Sequence, residues 1–401
     1  MTIKKSDVKN TILLCGGFQL PDRNASAVRA LGIARLIQSL GYNVYVLGKL
    51  ENEDQSGLTW KSGNLPPIEC INIKRPTPDF RGSSYISSEA PIKAFVDLVG
   101  ENSIKAIITY NYPARGTYRI NKLCRQLGAA SILDCTEWYG WEGRKIFRNL
   151  YRLLGVQIRM RFLTKQAGNI IVTSYYLERF LKKLNVLKLP FAIDHAEERW
   201  QRRDIPENKL TIFTYSGSPG LGMHKDRLPS MIKAFSELYG KGHQFKLNIV
   251  GLTQLQYLAE VPSQRSLIEQ LSSTIEFHGR VPHSNSIDIV TKSDFAVFFR
   301  KPNRVSNVGF STKFVEAVSL GIPVITNATS DIPEYLEDGV NGFLALEFSD
   351  AAIYRVLDKA IRLTPNERFK MQERCRLMQP FSYDKWRTAT QQFLNNLVTR
   401  S

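Results

Sequence analysis

Between Asn307 and Val324 the chain reads Asn-Val-Gly-Phe-Ser-Thr-Lys-Phe-Val-Glu-Ala-Val-Ser-Leu-Gly-Ile-Pro-Val. A loop with a glycine and two hydroxyl side chains, Ser311 and Thr312, runs here into a helical pattern. The first N–H groups of a helix have no partner within it and lie at its positive end, so the stretch is suited to hold a phosphate. Lys313 adds a full charge, and Glu316, one turn in, is placed to accept two hydrogen bonds from a ribose diol. A capping role suits Glu316 less well. A capping box needs the acid three residues after the N-cap, and Glu316 follows Thr312 by four and Ser311 by five.

Metal chemistry finds little support. The five cysteines are scattered without a C-x-x-C, and the five histidines are dispersed; even the closest pair, His278 and His283, has a spacing of five that does not place both on one helical face. There is also no D-x-D triplet of the kind that holds a metal–diphosphate. Neither a metal nor a resident cofactor is expected, and the charge of any anionic substrate falls to protein groups. A second charged feature is the stretch Gly143–Leu177, with seven basic residues and no acid, interleaved with Phe147, Leu150, Leu153, Leu154, Val156 and Phe162. Such a helix can lie on an anionic membrane, presenting Arg148, Arg152, Arg159 and Arg161 to it, or can simply be a solvated face. Nucleic acid is not expected as a partner, because no recognised binding module accompanies the charge.

These groups need a scaffold. The chain has 401 residues, enough for two or three cores, and its 43% apolar and 23% charged residues are those of an ordinary globular protein. The net charge of +17 is uneven: residues 1–200 carry 29 basic and 17 acidic side chains, the remainder 25 and 20. An anionic partner is therefore expected, mainly for the first half. No apolar run approaches the roughly 18–20 residues of a membrane span, and Thr11–Phe18 lacks a cleavage site after it. A cytoplasmic location is expected, with at most a peripheral position on the inner face of the cell membrane.

Thr11–Cys15 reads as a buried strand, Gly16-Gly17 as a turn, and Ile33, Leu36, Ile37 and Leu40 as one face of a helix that ends near Gly41. Val44–Leu47 is the next strand, followed by Ala106–Tyr110, Ser131–Asp134 and Asn169–Thr173. A second alternation begins with strand Leu210–Ser216 and helix Leu228–Tyr239. It continues with strands Phe245–Val250, Thr274–Phe277 and Phe295–Phe299, helix Thr312–Leu320 and strand Pro323–Thr326. The expected architecture is α/β: two Rossmann-like, doubly wound domains facing a cleft, over 1–190 and 191–380, with 381–401 a helix returning to the first.

The Gly-Phe loop, the Glu316-Ala helix, Leu320-Gly-Ile-Pro-Val-Ile, Ile332-Pro-Glu and Asp338-Gly-Val-Asn-Gly342 together resemble the donor site of retaining glycosyltransferases of family 4, the group 1 glycosyltransferases, which have the GT-B fold. Gly16-Gly17, Gly41-Tyr-Asn-Val44, Tyr215-Ser-Gly217 through Lys225-Asp226, Phe277-His-Gly279 and Phe381-Ser-Tyr extend the likeness over most of the chain. The resemblance implies transfer of a sugar from a nucleotide diphosphate sugar to a hydroxyl acceptor, often a glycan or lipid-linked glycan of a bacterial-type surface polysaccharide. It also implies retention of the anomeric configuration. Glu316 matches the ribose-binding acid, Ser311, Thr312 and Lys313 the diphosphate-binding turn, and Lys225 the phosphate-binding lysine of the Gly217-Ser218 loop. Gly17 matches a glycine close to the transferred sugar. Arg280 and Arg300 are further cations of this site, or ordinary arginines beside strand ends.

The chain departs from that family in three places. Val308 stands where a first glutamate is usual, Ser218 where an arginine is common, and Asp134-Cys-Thr-Glu137-Trp where a histidine often follows the fourth strand. Glu137 orients a donor or acceptor hydroxyl, or Asp134 and Glu137 cap and bridge locally. The alternative to an active transferase is a non-catalytic GT-B partner subunit, since lost polar groups are what a degenerate site would show.

Overall fold

The computed structural model describes residues 8–21, 23–52, 54–62, 65–73, 88–138, 146–201, 210–223 and 225–399. The chain divides into two compact units, residues 1–194 with 382–401, and residues 195–381.

The first unit is an eight-stranded sheet. Its strands are β1 (Thr11–Leu20), β2 (Asn43–Leu50), β3 (Gly57–Trp60), β4 (Ile68–Asn72), β5 (Ile104–Tyr110), β6 (Ala130–Cys135), β7 (Asn169–Val172) and β8 (Asn185–Lys188). Their order is β3-β4-β2-β1-β5-β6-β7-β8, and only the β3–β4 pair is antiparallel. Both faces are covered. Ile12, Leu14, Val44 and Val46 pack on the helix Ala25–Gln38 and on Phe393 and Leu394 of the helix Arg387–Asn395. Leu13, Cys15, Leu47 and Ile107 point the other way, toward the helices Ala90–Val99 and Ala114–Gln126. That alternation is the period-two geometry of a strand buried on both sides. The C-terminal helix is tied down by Asn185 and Asn169, whose side-chain amides donate to the carbonyls of Phe393 (3.1 Å) and Val398 (2.9 Å).

Gly16-Gly17 is not a turn. Both lie within β1, at a bulge where Cys15 pairs with Leu47 and Gln19 next with Lys49. A Cβ on Gly16 would sit 2.6 Å from the Phe18 ring, so the glycine is there to let that ring pack beside Tyr110, not to reverse the chain.

The second unit is a six-stranded parallel sheet of β9 (Thr211–Ser216), β10 (Phe245–Val250), β11 (Ile275–Gly279), β12 (Phe295–Val297), β13 (Val324–Asn327) and β14 (Gly342–Ala345). The order is β11-β10-β9-β12-β13-β14. Phe213, Phe235, Phe245 and Phe295 form its aromatic core, Phe213 and Phe235 meeting edge-on at 5.0 Å. In each sheet the strand order reverses beside the first strand, between β1 and β5 and between β9 and β12. The carboxyl ends of strands at such a switch point are where open α/β sheets bind ligands.

Candidate active site

The carboxyl ends of β9, β10 and β11 each run into a glycine with positive φ: Gly217 (139°), Gly251 (117°) and Gly279 (65°). The N–H of Gly217 donates to Val250 O (2.9 Å) and that of Gly251 to Gly279 O (2.8 Å), so the three ends are laced together. A Cβ on Gly251 would lie 2.2 Å from the Gly217 carbonyl oxygen, a backbone atom that cannot step aside. Gly251→Ala is expected to destabilise the chain by at least about 2 kcal/mol and to displace the loop after β9, read as a lowered melting temperature.

That loop, Gly217 to Asp226, is pulled tight by the Lys225 N–H donating to Pro219 O (2.9 Å) and leaves the Lys225 side chain exposed. Ser218 is exposed too, its hydroxyl accepting weakly from the Gly220 N–H at 3.4 Å. Opposite is the helix Thr312–Ser319. Its N-cap Ser311 is buried and makes no side-chain cap, so the N–H groups of the first turn keep no partner from that residue. Glu316 does not fold back to cap this turn. Its Oε1 lies 2.9 Å from Nε2 of His283, the first residue of the helix His283–Thr291. Lys313, Glu316, Ser216, Thr214 and Phe298 line one small depression beside the end of β9.

Lys313 differs from its expected role. Its stem lies against Gly217, where a Cβ would come within 2.4 Å of Cε, and its ammonium donates to Asp226 Oδ2 at 2.6 Å. The Tyr215 hydroxyl donates to the same oxygen at 2.7 Å. The Lys313 ammonium is therefore paired with a carboxylate of the fold. Burial alone would raise the Asp226 carboxyl, but Lys313, the Tyr215 hydrogen bond and Arg300 together hold it below its ordinary value. With its folded value depressed, the stability it gives is present above about pH 4 and is lost as pH falls through the lowered value. Arg300 stands just beyond β12, largely buried, its Nε 3.8 Å from Asp226 Oδ1. Asn327 fixes its backbone, accepting from the Arg300 N–H (2.8 Å) and donating to its carbonyl (2.9 Å). Arg280, just past β11, is exposed. Val308 is wholly buried, so no polar group replaces the missing glutamate at that position.

In the first unit, Gly17 is exposed on β1 and its carbonyl accepts from Asn24 Nδ2 (3.3 Å), while Asn24 Oδ1 caps the helix Ala25–Gln38 through Ala27 N (2.9 Å). Asp134 is structural. Arg29 grips it through Nε (2.9 Å) and Nη2 (2.7 Å), and both side chains are buried. Glu137 follows β6, half-buried, close to Tyr110, whose hydroxyl is pushed up to about 12 by burial and by the Glu137 and Asp134 charges. Thr136 donates to the Tyr110 oxygen at 3.2 Å, and Asn111 donates to Thr136 Oγ1 at 2.7 Å. These groups form a polar cluster at the carboxyl ends of β5 and β6.

The basic stretch is only partly a surface. Arg144 and Lys145 lie outside the described residues, as does the side chain of Arg148. The helix Ile146–Ile158 continues through a π turn, Arg159–Leu163. Arg159 does not face outward: it is 3% exposed and donates to the carbonyls of Tyr112 (3.2 Å) and Glu137 (2.8 Å), closing polar groups the loops would otherwise bury. Arg152 is half-buried, and Arg161 and Lys165 are exposed.

Sequence reasoning missed two partners, Asp226 for Lys313 and His283 for Glu316. Asp226 was visible only as the residue after Lys225, and His283 only as one of the dispersed histidines.

Among the described residues no group of His, Cys, Asp and Glu could hold a metal ion, and no helix is long and apolar enough to cross a membrane. Residues 204–378 match the family described as glycosyl transferases, group 1. No curated protein matches the sequence significantly. Among solved structures, the chain is similar to sucrose-phosphate synthase from Thermosynechococcus elongatus, at 15% identity and a TM-score of 0.71, covering 96% of this chain and 98% of that one. It is similar to HepE from Anabaena in complex with UDP and glucose, at 13% identity and a TM-score of 0.64, over 96% of this chain and 100% of the other. It also resembles WaaG, a glycosyltransferase involved in lipopolysaccharide biosynthesis, at 16% identity and a TM-score of 0.61, over 94% and 98% of the two chains. The chain therefore has the GT-B fold, with residues 204–378 similar to the group 1 glycosyl transferases.

Proposed function

We propose that the protein is a retaining glycosyltransferase whose second unit binds a nucleoside diphosphate sugar and whose first unit receives a hydroxyl acceptor. The observation that carries this is the grouping of Glu316, the uncapped turn at Thr312 and the glycine loop at the β9–β12 switch point. Glu316 takes the ribose, and the amides of Thr312 and Lys313 with the Lys225 ammonium take the diphosphate. As the bond from the sugar C1 to the phosphate oxygen breaks, negative charge grows on the departing diphosphate. Groups already fixed around it stabilise that state more than the ground state. The acceptor oxygen forms the new bond to C1 on the same face, and its proton passes to the departing phosphate oxygen. No side-chain base is then required, and Glu137 with Tyr110 serves to orient hydroxyls. The ligands of HepE, UDP and glucose, support a donor of this class.

The test is a panel of UDP, GDP, CDP and ADP with their sugars, followed by melting temperature and by donor hydrolysis or transfer. One donor is expected to raise the melting temperature and turn over. Binding without turnover would identify a non-catalytic subunit instead, and no shift with any would overturn the reading.

The acceptor, in this proposal, is a glycan carried at an anionic lipid surface. Leu150, Leu154, Ile158 and Phe162, exposed by 50, 55, 45 and 66%, recur every fourth residue along the basic helix. In an α-helix such a row drifts round the cylinder; the wider π turn before Phe162 brings it back onto one side. Arg161 and Lys165 flank the row, and the first half of the sequence holds most of the excess positive charge. Apolar insertion with basic flanks is the chemistry of an amphipathic helix on acidic lipid. Leu154→Asp with Phe162→Asp is expected to weaken sedimentation with phosphatidylglycerol-containing vesicles at least about tenfold and to leave nucleotide affinity intact. Unchanged vesicle binding would remove this part of the proposal.

A further inference from the structure

Three elements present the donor site, and each contributes one residue to a single buried cluster. The strand β9 gives Tyr215, the segment after β12 gives Arg300, and the helix Thr312–Ser319 gives Lys313. All three converge on Asp226, whose side chain is 1% exposed. Asp226 also joins the backbone: it bridges Arg300 in an antiparallel pair, and the next N–H, of Arg227, donates to Phe299 O at 2.7 Å. The Lys313 ammonium is enclosed further by the rings of Tyr215 (5.2 Å) and Phe298 (5.8 Å). By contrast the Arg300 pairing is incomplete. Asp226 Oδ1 and Arg300 Nε are both buried without a hydrogen-bond partner among the described residues, and stand 3.8 Å apart.

We propose that Asp226 is the positioning residue of the donor site, with Lys313 as its counter-ion, so that the cluster's surplus positive charge is carried by Arg300 and not by Lys313. The proposal rests on the donor-site reading above. One carboxylate against two cations leaves a single net charge. The cation at hydrogen-bond distance, enclosed by aromatic rings, is matched; the one at 3.8 Å is left to an arriving phosphate. Asp226 thereby fixes the loop, the strand end and the helix start relative to one another before substrate enters, which is what preorganised stabilisation of a leaving group requires.

A double-mutant cycle tests it, with Asp226→Asn, Lys313→Met, both together, and Arg300→Met. Each is measured for melting temperature without ligand, and for binding of UDP, GDP, CDP and ADP by calorimetry. Lys313→Met leaves a buried carboxylate facing an anion, and is expected to weaken binding about 30-fold and to lower the melting temperature. The double variant, neutral at both positions, is expected to return to within about threefold of the parent and to recover most of the lost stability. Arg300→Met is expected to weaken binding without a comparable loss of stability. A double variant that binds as poorly as Lys313→Met would place Lys313 on the ligand and overturn the assignment. Should the parent chain bind none of the four nucleotides, the donor-site reading fails by itself. The melting temperatures then decide the pairing alone: a double variant no more stable than Lys313→Met refutes it, and a recovered one upholds Asp226 as the anchor of Lys313.

Discussion

Replacing Glu316 with alanine is expected to weaken nucleoside diphosphate binding about 100-fold and to lower kcat/KM by a similar factor. A hydrogen bond to a charged group is worth about 1.5–3 kcal/mol, and a carboxylate facing a ribose diol makes two. The effect should appear largely in affinity, because ribose contacts are made equally in the ground and transition states. His283 sharpens the expectation. By holding Oε1 at 2.9 Å it fixes the carboxylate's rotation, so His283→Ala should cost a lesser factor, about fivefold, by loosening Glu316 without removing it. Calorimetric titration with the preferred nucleotide separates the two. Equal losses for both variants would mean that His283 itself contacts the donor.

The largest stability effect is expected in the other unit, at Asp134. Arg29 donates two hydrogen bonds to this carboxylate and two more to the carbonyls of Leu189 (2.9 Å) and Pro190 (2.6 Å), and packs over the Phe191 ring. It thus joins the first helix, the end of β6 and the chain leaving the unit. Asp134→Ala strands a buried guanidinium, and breaking such a pair costs about 3–5 kcal/mol. A fall in melting temperature of about 10 °C is the expected result. Arg29→Met with Asp134→Leu, which removes both charges, should fall much less, and thermal melts of the two variants distinguish loss of a pair from loss of packing.

What the sequence made legible follows from the range of the forces involved. The alternation of buried strands with amphipathic helices is local, and strands such as Phe245–Val250 stand where their apolar pattern puts them. Edge elements were not legible: β3 and β4 are short, and Gly57–Trp60 has too little alternation to be distinguished from loop. The turn expected at Gly16-Gly17 failed because a glycine pair signals freedom of the backbone without saying whether a neighbouring ring needs the space. Arg159 misled for a related reason. A run of basic residues looks like a solvated face, but one residue of a π turn is rotated inward to meet loop carbonyls. At the candidate site, Glu316 and the helix start could be read from spacing, whereas the pairing of Lys313 with Asp226 joins residues 87 positions apart. Charge partners at that separation leave no periodic trace, so a lysine expected to meet substrate proves to be paired with a carboxylate of the fold.

The strand-like pairing of Ile193 with Ser382 has a consequence for biosynthesis. The first unit is interrupted there by the whole of the second, and its core is completed only by Phe393 and Leu394 near the end of the chain. A ribosome therefore releases every residue of the inserted unit before the host unit can close. Until then the apolar surface around Leu187 and Leu189 waits uncovered in the nascent chain. A premature stop codon at Ser382 would spare the inserted unit and cripple the one translated first.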